Sequence, residues 1–375
     1  MGNTIIITNR LIWIDWAKAL AITLVVFGHT PIEKGNFLQN YIVVFHMPLF
    51  FFISGFLTKE EFFSKITLKK YWNTLIIPYF CYNIIFYPYW VVRHSIDYPY
   101  AGWYDYIKPI IGTFMLQHKT AYYESLNGVT WFIVSLLIMK IILAICNKYK
   151  KGGLFIILLS ICTTCFYIVN EAYRFVTDLP FVGFTKCCAF FYLGFYCKQK
   201  NYIYTDYQKK DIFICLLGII SSIYFFSIFR NGTSIVEYGI LYWLICLSAI
   251  WGILSLCKLL NKVHFTAIDN ISIGTIVIMG LHRMFIGATN YGISMLFGIQ
   301  REIVYPLITA ILIALFFVAL EYPIIIFFKN LEEFASSIAD ANLLFKTKAS
   351  GEMKRIRAFF RLIALRIGTA SMPLL

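Results

Sequence analysis

The sequence predicts an all-α, polytopic integral membrane protein with about ten transmembrane helices and both termini in the cytoplasm. Three observations predict it. Of 375 residues, 60% are apolar and only 14% are charged, too few to cover a soluble surface. Apolar runs of about 18 residues or more recur along the whole chain, each long enough to cross roughly 30 Å of hydrocarbon as a helix. Lys and Arg alternate between rich and poor from one connection to the next.

A membrane span must satisfy its own backbone N–H and C=O groups, which leaves helices or a closed barrel. Barrel strands alternate apolar and polar residues, and runs such as Ile156–Val169 and Ile303–Leu320 do not. The spans are expected at residues 13–32, 40–58, 72–92, 129–147, 153–170, 181–197, 211–229, 235–257, 271–292 and 303–328. Met47-Pro48 and Ile77-Pro78-Tyr79 are expected to kink the second and third.

The connections test this count. One set receives Lys59, Lys65, Lys69 and Lys70, then Lys148, Lys150 and Lys151, then Lys198, Lys200, Lys209 and Lys210, then Lys258 and Lys262. The alternating set receives only Lys34, Arg93, Lys108, Lys119, Arg174, Arg230 and Arg301. A missed or invented span would scramble that division, and its sense places the Lys-rich face in the cytosol. The net charge of +14 is therefore read as topology, and no nucleic-acid motif accompanies it.

Residues 1–328 read as the membrane domain. Residues 329–375 read as a basic amphipathic cytoplasmic tail, in which Lys354, Arg355, Arg357, Arg361 and Arg366 interleave with Ile356, Phe359, Phe360, Ile363 and Ile367. Asp15 and Lys18 interrupt the first apolar run, so no cleaved signal peptide is expected. The ten cysteines lie mostly in apolar runs, where a thiol behaves as a small hydrophobe. Cys162-x-x-Cys165 has no second pair and no nearby His, so no metal site is expected. The segment from Arg93 to Thr130 is rich in Trp and Tyr (Trp103, Tyr104, Tyr106, Tyr122, Tyr123). It is either an interfacial belt or a rim on which a sugar could stack.

Ionisable side chains inside spans cost roughly 2.5–3.5 kcal/mol each on insertion scales and therefore mark function. The first span carries Asp15, Lys18 and His29. Lys18 and His29 are eleven residues apart, about 20° from three full turns and about 16 Å along the axis. One helix face thus presents a cation near the cytosol and an imidazole toward the outer side. His46 lies in the outer part of the second, antiparallel span, at a similar depth. His282 lies in the ninth span, and Glu321 in the last, where a structural pairing with Arg283 is expected. Lys140 and Lys186 also fall inside spans.

The block Trp13-Ile14-Asp15-Trp16-Ala17-Lys18, running on to Gly28-His29, resembles the opening of the membrane acyltransferase 3 family, whose first span carries R/K-x10-H. Phe45-His46-Met47-Pro48-Leu49-Phe50, Leu75-Ile76-Ile77-Pro78-Tyr79, Trp131-Phe132, Leu281-His282 and Glu321-Tyr322-Pro323 are similar to later blocks of that family, in the same order. The pattern is most similar to the small O-acetyltransferases of surface polysaccharides, including the fucose O-acetylase-like branch.

The resemblance implies an acyl-CoA donor, expected to be acetyl-CoA as a co-substrate, and a hydroxyl of a cell-surface or lipid-linked sugar as acceptor. It implies His29 as the catalytic residue and Lys18 as a donor contact. His46 is expected to orient His29 or bind substrate, and Asp15 to pair with Lys18. The family's Arg ahead of the Leu-Ile-Pro-Tyr block is replaced by Asn73 and Thr74, so Lys69 and Lys70 are expected to supply the donor contact. Trp131, His282 and Glu321 are expected to bind substrate or to be structural. The hydrolase-like domain carried by some relatives is not expected. The rival reading is a transporter or flippase for a lipid-linked sugar or an ion, since intramembrane His, Lys and Asp also build proton relays. The inner membrane of a bacterium is the expected location.

Overall fold

The computed structural model describes residues 11–116, 126–177, 179–203, 208–231, 234–298 and 303–344. In chain order its helices are α1 (Ile12–His29), α2 (Phe37–Leu57), α3 (Lys65–Tyr71), α4 (Ile77–Asp97), α5 (Trp103–Phe114), α6 (Trp131–Cys146) and α7 (Gly152–Tyr173). They continue with α8 (Leu179–Gln199), α9 (Lys210–Phe229), α10 (Ile235–Leu259), α11 (Thr266–Ile273), α12 (Thr275–Phe297) and α13 (Leu307–Leu344). Among the described residues nine helical stretches are long and apolar enough to span a membrane, with α3–α4 as one stretch, and the bent pair α11–α12 makes ten. The protein is thus an all-helical integral membrane protein. Each of the ten expected spans falls on one of these stretches.

Local chemistry explains several ends. Asn36 caps α2 by accepting from the Gln39 amide at 3.1 Å. Ser234 and Glu237 form a capping box on α10. Pro48 sits inside an unbroken α2. Pro78 follows a π-helical turn, Trp72–Ile76, so the backbone adjusts ahead of the ring rather than breaking the span.

Helix α2 is the central post, buried along most of its length and packed on α1, α8 and α10. Lipid tails are as apolar as Leu, so close packing rather than hydrophobic exclusion holds such helices together. Small residues make that possible where α2 crosses α8. A Cβ on Gly55 would stand 1.8 Å from the Phe191 carbonyl oxygen, and one on Gly194 would stand 2.1 Å from that of Phe52. The two backbones touch at paired glycines, and the Phe-rich flanks Phe51, Phe52, Phe190 and Phe191 fill the core around them. Helices α7 and α9 instead keep apolar side chains such as Leu158 and Leu217 exposed, as suits a lipid-facing wall.

The two faces of the bundle can be read from the ties. At one end Ser272 of α11 donates to Asp15 of α1, and Lys329 of α13 donates to Asn270 of α11. The start of α1 and residue 329 therefore lie at the same end, as an even number of crossings requires. The buried pair Lys258–Asp211 at 3.5 Å joins α10 to α9. At the opposite end a parallel bridge joins Ile32, after α1, to Tyr305, ahead of α13.

Three features depart from the expected layout. The ninth span is not a single rod, because α11 and α12 meet at 81° around Gly274. Gly274 packs on Ile325, where a Cβ would stand 2.5 Å from that side chain. The loop after Arg93 contains a helix, α5, with its first turn capped by Asp105 onto the Gly102 amide. The last helix continues to Leu344, past the expected boundary at 328. The basic cluster from Lys354 to Arg366 lies outside the described residues, as do Tyr122 and Tyr123.

Gly194→Ala is expected to destabilise the protein by about 1–3 kcal/mol or more, because the methyl group meets backbone that cannot move aside. Gly292→Ala, with nothing within 4 Å of the new Cβ, is expected to be neutral or to gain about 0.5–1 kcal/mol from helix propensity. Thermal unfolding in detergent distinguishes the two, and equal melting temperatures would contradict the close crossing of α2 and α8.

Candidate functional site

The face of α1 that carries Lys18 and His29 opens on two separate cavities. Asp15 and Lys18 line the inner one, a space of about 270 Å³ at the end of the bundle where α1 begins. His29 lines the outer one, of about 670 Å³.

The inner cavity is walled by apolar groups of α2, α6 and α12 and rimmed by charge. Lys18, Lys59, Lys70, Lys140 and Lys198 all reach it, against two carboxylates, Asp15 and Glu61. Asp15 accepts a 2.5 Å hydrogen bond from Ser272. Glu61 is ion-paired with Lys70. Partial burial pushes the Glu61 pKa up, but the hydrogen bond and charge of Lys70, with Tyr71 and Lys140 behind it, outweigh burial and hold it below the ordinary value. The break between α11 and α12 falls on this cavity, through Ser272, Ile273, Thr275 and Ile276. Irregular backbone at membrane depth is tolerated where it lines such a cavity. The N-terminal, positive end of α12 is thereby turned toward it.

The outer cavity is aromatic and cationic. Tyr89, Trp90 and Tyr98 line it with Arg93, Arg283 and Asn290. Trp90 and His94 stack with ring centroids 4.5 Å apart, and Tyr106 of α5 packs edge-on against both. The aromatic stretch after Arg93 thus supports the cavity wall through Tyr106, while Trp103 and Tyr104 remain exposed.

Three histidines converge at the floor of this cavity. The His29 and His282 rings stand edge to face with centroids 4.9 Å apart. His46 packs beneath Gly28, where an added Cβ would meet its Cε1 at 3.8 Å. Each uses Nδ1 in the same way, toward the carbonyl four residues earlier: His29 to Val25 at 2.9 Å, His46 to Ile42 at 2.9 Å and His282 to Ile278 at 2.8 Å. A carbonyl oxygen only accepts, so the hydrogen-bond network assigns the proton of each neutral ring to Nδ1 and leaves the lone pair on Nε2. The His282 Nε2 is fully buried with no hydrogen-bond partner.

The wall between the cavities is thin. On α12, Met279 lines the inner cavity and Arg283 the outer, a separation of about 6 Å of helix rise. Phe132 and Gly128 flank it in the same way at the start of α6. His282 sits within this wall.

Of the residues singled out from sequence, the structure brings Asp15, Lys18 and Lys70 to the inner cavity and His29 to the outer. His46 and His282 lie buried beside His29. Lys69 is exposed and lines neither cavity, because its neighbour Lys70 takes the inward direction and successive helical residues diverge by about 100°. Trp131 also lines neither. It packs on α8, where a Cβ on Gly183 would stand 2.1 Å from the indole, and it stacks on Phe51. Glu321 does not pair with Arg283. Its carboxyl group is wholly buried with no hydrogen-bond partner, whereas Arg283 turns into the outer cavity. Sequence reasoning passed over Arg283 and Lys140 as site residues. Both stood out as cations inside spans, and that was the available signal. Lys186, the remaining intramembrane cation, sits 5.9 Å from the Tyr167 and Tyr242 rings instead.

The bundle thus carries a cationic inner cavity, an aromatic outer cavity and a histidine cluster beside the latter. Residues 11–328 match the sequence model of the acyltransferase domain. The chain belongs to the acyltransferase 3 family. It is similar to nodulation protein NolL of Mesorhizobium japonicum, with 27% identity over 234 residues, which cover 58% of this chain and 56% of that protein. The chain thus spans little more than half the length of this relative. No solved structure matches it.

Glu321→Met is expected to raise the melting temperature, because an apolar chain of similar length removes two buried oxygens without partners, each costing about 1–3 kcal/mol. A lowered melting temperature would mean that the carboxyl group makes a stabilising interaction the fold does not reveal.

Proposed function

We propose that this protein is a membrane O-acyltransferase that moves an acetyl group from acetyl-CoA, held at the inner cavity, to a hydroxyl of a cell-surface or lipid-linked sugar held at the outer cavity. The observation that carries this reading is the sharing of one helix face between the two cavities, with Lys18 in one and His29 in the other, and a wall that narrows to about one helical turn on α12 between Met279 and Arg283. A thioester on a long, thin arm can reach through such a wall. A whole solute would need the wall to open, which favours group transfer over the transporter or flippase reading.

The residues divide the work by their chemistry. Lys18, Lys70 and Lys140, with the N-terminal end of α12, suit the phosphates of a nucleotide donor. The apolar side chains Phe50, Phe132 and Met279 suit its arm. Trp90 and Tyr89 offer faces on which a sugar ring can stack. The lone pair on His29 Nε2 takes the proton of the sugar hydroxyl as its oxygen attacks the thioester carbonyl. Collapse of the tetrahedral adduct breaks the carbon–sulfur bond, and the departing thiolate takes that proton from the imidazolium. His46, packed beneath the neighbouring Gly28, backs the segment of α1 that carries His29. The Lys-rich end of the bundle then faces the cytosol, where acyl-CoA is found, and the plasma membrane of a bacterium is the setting.

Membranes containing the intact protein and radiolabelled acetyl-CoA are expected to transfer label to a glycan or glycolipid, and His29→Ala is expected to abolish transfer. Equal labelling by the folded variant would remove His29 from the mechanism. Met279→Trp, which fills the wall from the inner side, is expected to cut kcat at least tenfold while leaving donor binding within a few-fold. Measuring both by single-turnover and equilibrium assays separates a blocked passage from a lost binding site.

A further inference from the structure

Taking the outer cavity as the acceptor site, as the proposed function does, we infer that the acceptor is anionic. It carries a carboxylate or phosphate on or next to the sugar, bound by Arg283 together with Arg93 and Asn290. Arg283 and Arg93 line the same cavity. The one carboxylate among the described lining residues, Asp97, is engaged by Arg93 through Nε–Oδ2 at 3.4 Å. No hydrogen bond or ion pair joins Arg283 to any described residue. Asn290 accepts from the Tyr305 hydroxyl through Oδ1 at 2.7 Å, so its amide NH2 remains as a further donor at the cavity.

Two guanidiniums and an amide donor against one committed carboxylate form a site with surplus positive charge. Both guanidiniums are exposed at the cavity rather than shut in the bundle, so an arriving ligand can reach them. An arriving carboxylate or phosphate can engage the planar fork bidentately, while Tyr89 and Trp90 take the ring face. A neutral sugar would use the aromatic wall and make no ion pair with Arg283. His29, at the floor of the cavity, then meets whichever hydroxyl the anchored anion and stacked ring place over it.

The test measures binding without any donor, using the full chain in nanodiscs and calorimetry with three probes: methyl glucuronoside, methyl glucoside and farnesyl diphosphate. At least one anionic probe is expected to bind at least tenfold more tightly than the glucoside. Preference for the glucuronoside places the charge on the sugar, and preference for the diphosphate places it on a lipid carrier. Arg283→Gln is expected to weaken the anionic probe at least tenfold, with Arg283→Lys in between. Arg93→Gln, at the more exposed edge of the cavity, serves if Arg283→Gln does not fold, and it is expected to weaken the same probe several-fold. Equal binding of glucoside and anions, no binding of either anion, or anion binding unchanged in the folded variants would overturn the inference. Unchanged ground-state binding would assign Arg283 to the developing oxyanion instead. Because no acetyl transfer enters the readout, loss of transfer in His29→Ala and loss of anion selectivity in Arg283→Gln fail independently.

Discussion

The hydrogen bond from Ser272 to Asp15 holds the broken helix against α1, and the two cavities take their shape from that junction. The Ser272 hydroxyl donates to the Asp15 carboxyl group at 2.5 Å, a short contact, and both partners are buried. It fastens the end of α11 beside the start of α1. The 81° turn at Gly274 then sends α12 along α1 toward the opposite end. Register follows from there. Met279 reaches the inner cavity, His282 reaches the His29 ring and Arg283 reaches the outer cavity. A shift of one residue along α12 would rotate each of them by about 100° away from its place.

The histidine cluster shows how a bilayer limits what such residues can do. Each ring spends Nδ1 on a carbonyl of its own helix, which satisfies its N–H without solvent. This local bond needs only the residue four positions earlier, and it recurs at His29, His46 and His282 for that reason. Its effect is to present Nε2 as the available lone pair in all three cases. What distinguishes them is access. His29 lies at a cavity surface, whereas His46 and His282 are shut in. The same local chemistry therefore yields one ring at a cavity surface and two packed behind it.

The charged residues illustrate how far a sequence can be read. Lys18 and His29 were legible because both lie on one helix, where spacing alone sets direction. Lys70 and Lys69 were not separable in advance, because either could face the cavity until α3 was placed against the bundle. Arg283 and Glu321 were expected to pair, opposite charges inside the membrane being the simplest way to offset their cost. They lie on different helices, and the packing of α12 and α13 directs one into a cavity and the other into the core. Trp131 stood out through the resemblance of Trp131-Phe132 to a family block, which left it either a substrate contact or a structural group. The glycine at position 183, on another helix, decides that it is a packing group.

Hydropathy and the distribution of Lys and Arg determined by themselves that this is a helical bundle of about ten spans, since crossing a bilayer is a one-dimensional constraint on length and charge. The face shared by Lys18 and His29 was likewise determined by helical periodicity. Tertiary structure alone decided that this face opens on two cavities, that their separating wall narrows to about one turn on α12, and that Lys140 and Arg283 join the site. It also decided the bend at Gly274, because Gly274 and Ile325 are brought together only by the packing of α11–α12 on α13. Periodicity orients side chains about their own axis, but distances between helices depend on which side chains let two backbones approach. In this bundle those are the paired glycines of α2 and α8 and the seryl–aspartate contact between α11 and α1.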